Sequence, residues 1–87
     1  MLNYITIPII DAAARCGIWV SGDLSRREVR VQCPFCNHRR SMNLNTVKNV
    51  FYCHHCGERG NSISLYSKLM GADAKTAYRE LVEDIAA

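Results

Sequence analysis

The chain has no long apolar run. Its first candidate for one, Met1 to Ile10, is interrupted by Asn3, Thr6 and Pro8 and has no basic flank. It therefore reads neither as a signal peptide nor as a membrane helix, and a cytoplasmic protein without a membrane partner is expected. Proline is scarce, with 2 residues, and the 5 glycines are dispersed. With no linker, repeat or low-complexity tract to divide it, the sequence is expected to form a single domain over residues 1–87. Acidic residues number only 8 and are scattered, leaving no cluster to hold the cations that nucleotidyl transfer needs. No enzymatic activity is expected of the chain alone. Large apolar residues are also limited, and a core of this size contributes only roughly 3–5 kcal/mol, so a staple of another kind is expected.

Cysteine, by contrast, is plentiful, with 5 residues in 87. In a reducing compartment these do not suggest a disulfide framework. Their pattern is Cys33-Pro34-Phe35-Cys36, 16 intervening residues, then Cys53-His54-His55-Cys56. That falls within the spacing of zinc sites built from two C-x-x-C pairs. Two residues between cysteines let a tight turn aim both sulfurs at one ion, and two such turns complete a tetrahedron. Asn37 and Gly57 each follow the second cysteine of a pair, where the chain must reverse and a left-handed backbone is easiest for Gly or Asn. Amides beside them are expected to donate to the thiolates. Four protein ligands leave no place for a reactive water, so one structural Zn2+ is expected. A C-x-x-C redox pair and a four-sulfur iron site are the competing readings. His38, His54 and His55 lie outside the paired spacing and are expected at the surface or facing nucleic acid.

The rest of the chain reads as helix, ribbon, helix, helix. Pro8 suits a first helical turn, with Ile9, Ala12, Ala13 and Cys16 on one face and Gly17 as the stop, which makes Cys16 a core residue. Ile18 to Val20, the turn residues Ser21-Gly22-Asp23, and Glu28 to Val31 read as one hairpin. Met42 to Leu44 and Val50 to Tyr52 read as another, turned by Asn45, Lys48 and Asn49. Asn61 is expected to cap a helix running through Met70 and stopping at Gly71; Asp73 is expected to cap a last one with Ala74, Ala77, Tyr78, Leu81, Val82 and Ile85 on one face. Phe35, Trp19 and Phe51 are expected in the core. The fold class is thus a small α+β zinc ribbon: antiparallel β-hairpins carrying two zinc knuckles, flanked by an N-terminal helix and two C-terminal helices.

The formal charge of +3 is unevenly spread. From Arg26 to Arg59 there are 7 basic residues against 2 acidic ones, and each flank is slightly acidic. Zinc binding by four thiolates lowers the net charge by about two, so any polyanion must be attracted by a local basic surface. Arg39, Arg40, Lys48 and Arg59 are the best placed for phosphate, on knuckles and hairpin tip, with Arg26, Arg27 and Arg30 as secondary candidates. Tyr52, His54 and His55 are candidates to stack on unpaired bases, although Tyr52 is equally suited to packing beneath a knuckle.

These residues resemble the zinc-binding domain of bacterial and phage replicative primases over most of the chain. Cys33-Pro34-Phe35-Cys36 is similar to that family's first knuckle, which usually has His at the Cys36 position and in some phage members Cys. Phe51-Tyr52-Cys53 and Cys56-Gly57-Glu58-Arg59-Gly60-Asn61-Ser62-Ile63-Ser64-Leu65 resemble its aromatic-Cys and Cys-Gly-x-x-Gly-Asp-x-Ile run, with Asn61 for the usual Asp. Ile9 to Ile18 and Gly71 to Leu81 are similar to its opening and closing helices. His38-Arg39-Arg40-Ser41-Met42 departs from it, being one residue shorter than the family's Glu-Lys-Thr-Pro-Ser-Phe. The resemblance implies recognition of single-stranded DNA template; RNA is a lesser alternative, and a monomer without the primase catalytic domain is expected. It implies a role in replication or transposition of a chromosome, phage or mobile element. A ribbon that docks on a polymerase or helicase without touching nucleic acid is the rival expectation.

Overall fold

The computed structural model describes residues 6–20 and 26–86, without the side chains of residues 85 and 86. The elements are α1 (Ile9–Arg15), β1 (Glu28–Val31), β2 (Met42–Asn45), β3 (Val50–Cys53), β4 (Arg59–Asn61), α2 (Ser62–Met70) and α3 (Ala74–Ala86). The strands form one antiparallel sheet in the order β1-β2-β3-β4. Strict alternation in β1 and β3 sends Val29, Val31, Phe51 and Cys53 inward and Glu28, Arg30, Val50 and Tyr52 outward. On the inner face, α1 touches β2 while α2 packs against α1, α3, β3 and β4. The core therefore lies between one face of the sheet and the three helices, with Ile9, Ala12, Ala13, Leu65 and Leu81 meeting Val29, Val31, Met42, Leu44 and Phe51.

The helix ends explain where each helix stops. Pro8 stands just before α1 with an extended backbone (ψ 137°), so the helix starts one residue later than a first-turn proline would place it. The free Ile9 amide donates instead to Asn49 Oδ1 at 3.0 Å, a cap supplied from the β2–β3 turn. At the other end Gly17 is left-handed (φ 77°), its amide donating to Ala14 O at 3.1 Å and that of Ile18 to Ala13 O at 3.0 Å, a Schellman arrangement. Asn61 caps α2 as expected, in a capping box completed by Ser64, and Gly71 ends that helix with φ 69°. Asp73 Oδ1 accepts from the Thr76 amide at 2.7 Å, and this bond holds the Asp73 carboxyl below its ordinary range.

Two expectations are corrected. Ile18 to Val20 is not a strand, because the Ile18 amide is consumed in ending α1; β1 pairs with β2 instead. The expected turn at Ser21-Gly22-Asp23 lies outside the described residues, as does the Ile85 side chain. Trp19 is 83% exposed and not in the core. Ile18 and Val20 take the two inward positions against the core, so the residue between them points out. The remaining difference is β4, a strand that a Gly-containing triplet did not signal. Gly60 is required there, because a Cβ would collide with the Ser64 hydroxyl and approach the Phe51 ring at 3.2 Å. Phe51 is fully buried and Phe35 half-buried, their rings 6.0 Å apart.

Candidate metal centre and the adjoining sheet face

The two cysteine pairs form the same loop twice. In the first, Asn37 is left-handed (φ 62°), its amide donating to Cys33 O at 2.8 Å while the Cys33 amide donates to His38 O at 3.2 Å. In the second, Gly57 is left-handed (φ 84°), its amide donating to Cys53 O at 3.0 Å while the Cys53 amide donates to Glu58 O at 2.8 Å. The sheet brings the loops together. β3 ends at Cys53, β1 leads into Cys33, and His54 N donates across to Ser41 O at 2.8 Å.

The result is a cluster of Cys33, Cys36, Cys53 and Cys56 whose sulfurs all lie within 4.8 Å of one another. Cys33 and Cys56 sulfurs are 3.8 Å apart, and those of Cys36 and Cys53 are 3.7 Å apart. A tetrahedron with zinc–sulfur bonds of about 2.3 Å has edges of about 3.8 Å, so the donor set fits a single zinc ion. No histidine joins the cluster among the described residues. His38 and His55, one from each knuckle, stack on each other with ring centres 4.1 Å apart.

The cluster is electrostatically lopsided. Cys53 Sγ lies 3.4 Å from the His55 amide, 3.3 Å from the Cys56 amide and 3.3 Å from Ser41 Oγ. Cys33 Sγ accepts from the Phe35 amide at 3.4 Å. The donating amides are thus inside the loops, whereas those of Asn37 and Gly57 close the turns. At Cys53, burial opposes ionisation but is outweighed by the Ser41 hydroxyl and the two amides, which hold the thiol down to about 5. Burial pushes the Cys33 thiol up to about 12. Thiolates so close together repel unless a cation lies among them, and a dication is what this donor set is built to hold. The set offers four ligands and no open position, so the metal is structural.

Residues 21–87 match the CHC2 zinc finger, the zinc-binding domain of DnaG-type primases. The chain belongs to this family. No curated protein matches it. In this CHC2 zinc finger the donors clustered for zinc are four cysteines, Cys33, Cys36, Cys53 and Cys56.

Ser41 is a site residue that spacing did not indicate. It is buried between the knuckles, its hydroxyl 2.9 Å from His38 O and 3.3 Å from Cys53 Sγ. Ser41→Ala should weaken zinc binding roughly tenfold, the low end for residues that support a ligand, because Cys53 keeps its amide donors. Competition with a chromophoric chelator measures this, and an unchanged affinity would deny Ser41 that role.

The remaining candidates fall into two places. Arg39, Arg40, His54, His55 and Arg59 are exposed at or beside the knuckles, and Tyr52 is 42% exposed on the outer sheet face with its ring against His54. Lys48 is exposed at the β2–β3 turn, at the other end of those strands and about 10 Å further along at ~3.3 Å per residue. The pairing also aligns Arg30, Asn43, Tyr52 and Arg59 in one row across the outer face. Within each strand, alternation signals which of these point outward, but only the register of all four strands aligns them.

Proposed function

We propose that this zinc ribbon binds single-stranded DNA on the outer sheet face beside its knuckles, as a recognition module in replication or transposition. The observation that carries this reading is the exposed Tyr52 ring, set between Arg59 of the neighbouring strand and the His54 ring at 4.9 Å. An exposed aromatic ring beside a cation is the combination that single-strand binders use, the ring for bases and the cation for phosphate. Membership of a primase-associated family supports it. Zinc contributes rigidity: it fixes two loops whose exposed residues would otherwise lose considerable conformational entropy on binding.

The function is binding and not catalysis. Purified protein incubated with template, nucleotides and magnesium should form no oligonucleotide. Product that tracks with the protein through purification would overturn that half of the proposal. Fluorescence anisotropy with matched single-stranded and duplex DNA tests the other half. Preferential, salt-sensitive binding of the single strand is expected. A weak signal that salt does not alter would favour a ribbon that docks on a polymerase or helicase.

A further inference from the structure

The row Arg30, Asn43, Tyr52 and Arg59 carries an inference about how a single strand would lie, and it rests on the single-strand reading above. Two paths lead over Tyr52. One follows β3 from the knuckle arginines to Lys48 at the hairpin turn; the other crosses the sheet at right angles to its strands.

The distribution of charge separates them. On the outer face, register places Arg30, Asn43, Tyr52 and Arg59 in the row nearer the knuckles, and Glu28, Asn45, Val50 and Asn61 in the row nearer the turn. The knuckle-side row has a cation at each end. The turn-side row has no cation and carries the carboxylate of Glu28, whose Oε1 accepts from Asn43 Nδ2 at 3.1 Å. A strand running down β3 would have to cross that second row before reaching Lys48. Arg30 is also drawn into the knuckle cluster, since its Nη1 donates to Arg40 O at 3.3 Å. This bond brings the side chain of Arg30 to the loop that bears Arg39 and Arg40. At the opposite end, Lys68 Nζ lies 2.7 Å from the Glu58 carboxylate and 3.4 Å from Arg59 O, so the acidic neighbour of Arg59 is already neutralised. At the Arg59 end of the row, a shallow hollow of about 500 Å3 on β3 and β4 is lined by Val50, Phe51, Tyr52, Arg59 and Gly60.

We infer that the DNA strand crosses the sheet along this row, with Arg30 as a phosphate contact, Asn43 and Tyr52 beneath the bases, and Lys48 outside the footprint. Three strand spacings of ~4.8 Å separate Arg30 from Arg59, roughly 14 Å, the length of about four stacked nucleotides at ~3.4 Å each.

The test is anisotropy with oligothymidylates across a salt series, using the full chain loaded with zinc. At about 50 mM salt, Arg30→Ala should weaken binding about five- to tenfold and make the log–log salt slope shallower by about 0.7, as expected for one lost phosphate contact. Arg30→Lys should keep the parental slope, which separates loss of a charge from loss of the bond to Arg40. Lys48→Ala should bind like the parent. Zinc content and melting of each variant confirm that the fold is retained. If the parent binds but Lys48→Ala is the weakened variant, or Arg30→Ala behaves like the parent, the crossing path is wrong while single-strand binding stands. If the parent binds no single strand, both readings fall together.

Discussion

Chelation should unfold this protein. The core is a single layer between one four-stranded sheet and three short helices, and a core of that size supplies roughly 3–5 kcal/mol. Structural zinc in small domains is worth about 10–16 kcal/mol at neutral pH, so its loss outweighs everything the core provides. The structure indicates where the collapse would begin. Both knuckles are closed by backbone hydrogen bonds, and besides the metal they meet through the His54–Ser41 bond at 2.8 Å, the Ser41 hydroxyl against Cys53 Sγ at 3.3 Å and the His38–His55 stack at 4.1 Å. Circular dichroism during titration with a strong chelator should show loss of sheet and helix together, and native mass spectrometry should find one zinc per chain. Cys53→Ser should be the most damaging ligand change, because that sulfur is buried, accepts from two amides and lies 3.3 Å from the Ser41 hydroxyl; Cys56→Ser, at an exposed position, should be the mildest. Cys16→Ala should cost only about 1–2 kcal/mol of packing, since Cys16 lies against the core away from the cluster. A zinc-free chain that keeps its far-ultraviolet spectrum would refute the metal's structural role.

What could be read in advance divides along the range of the interactions involved. The cysteine pairs, the left-handed residues after them and the Asn61 cap are all set by neighbours within a few positions, and each is where its local chemistry places it. The errors are long-range. Whether Trp19 turns inward depends on which side of the segment the sheet occupies, and the apolar count of 18–20 is the same either way. The cap on α1 comes from Asn49, 40 residues away, so nothing near Pro8 announces it. Ser41 reaches Cys53 across 12 residues of chain. The place of Arg30 at one end of the Tyr52 row is likewise a matter of strand register, which no neighbour in sequence signals.

If the outer face does hold single-stranded DNA, affinity should fall steeply with salt. Arg39, Arg40 and Arg59 are exposed on or beside the knuckles, and Arg30 reaches the loop of Arg39 and Arg40 through the Arg40 carbonyl. Neutralising three to five phosphates predicts a log–log slope of roughly −2 to −3.5, at about −0.7 per contact for single strands. Between about 50 and 200 mM salt that is a loss of roughly 15- to 130-fold. Arg39→Ala and Arg40→Ala should each make the slope shallower by about 0.7, with a caution of chemistry at Arg40: its backbone is left-handed (φ 53°), so Gly is the better replacement for removing charge without strain. Tyr52→Ala should behave differently. Stacking of a base on an aromatic ring is worth about 1–3 kcal/mol, so affinity should drop roughly 5- to 150-fold at every salt concentration while the slope stays parental. Tyr52 is partly exposed and its neighbours across the strands are Asn43 and Arg59, so truncating it should spare the fold. Parallel lines for Tyr52→Ala and converging lines for the arginine variants would assign stacking and charge to separate residues. A flat parental slope, or arginine variants that lie on the parent's line, would remove DNA from this face and leave it to a protein partner.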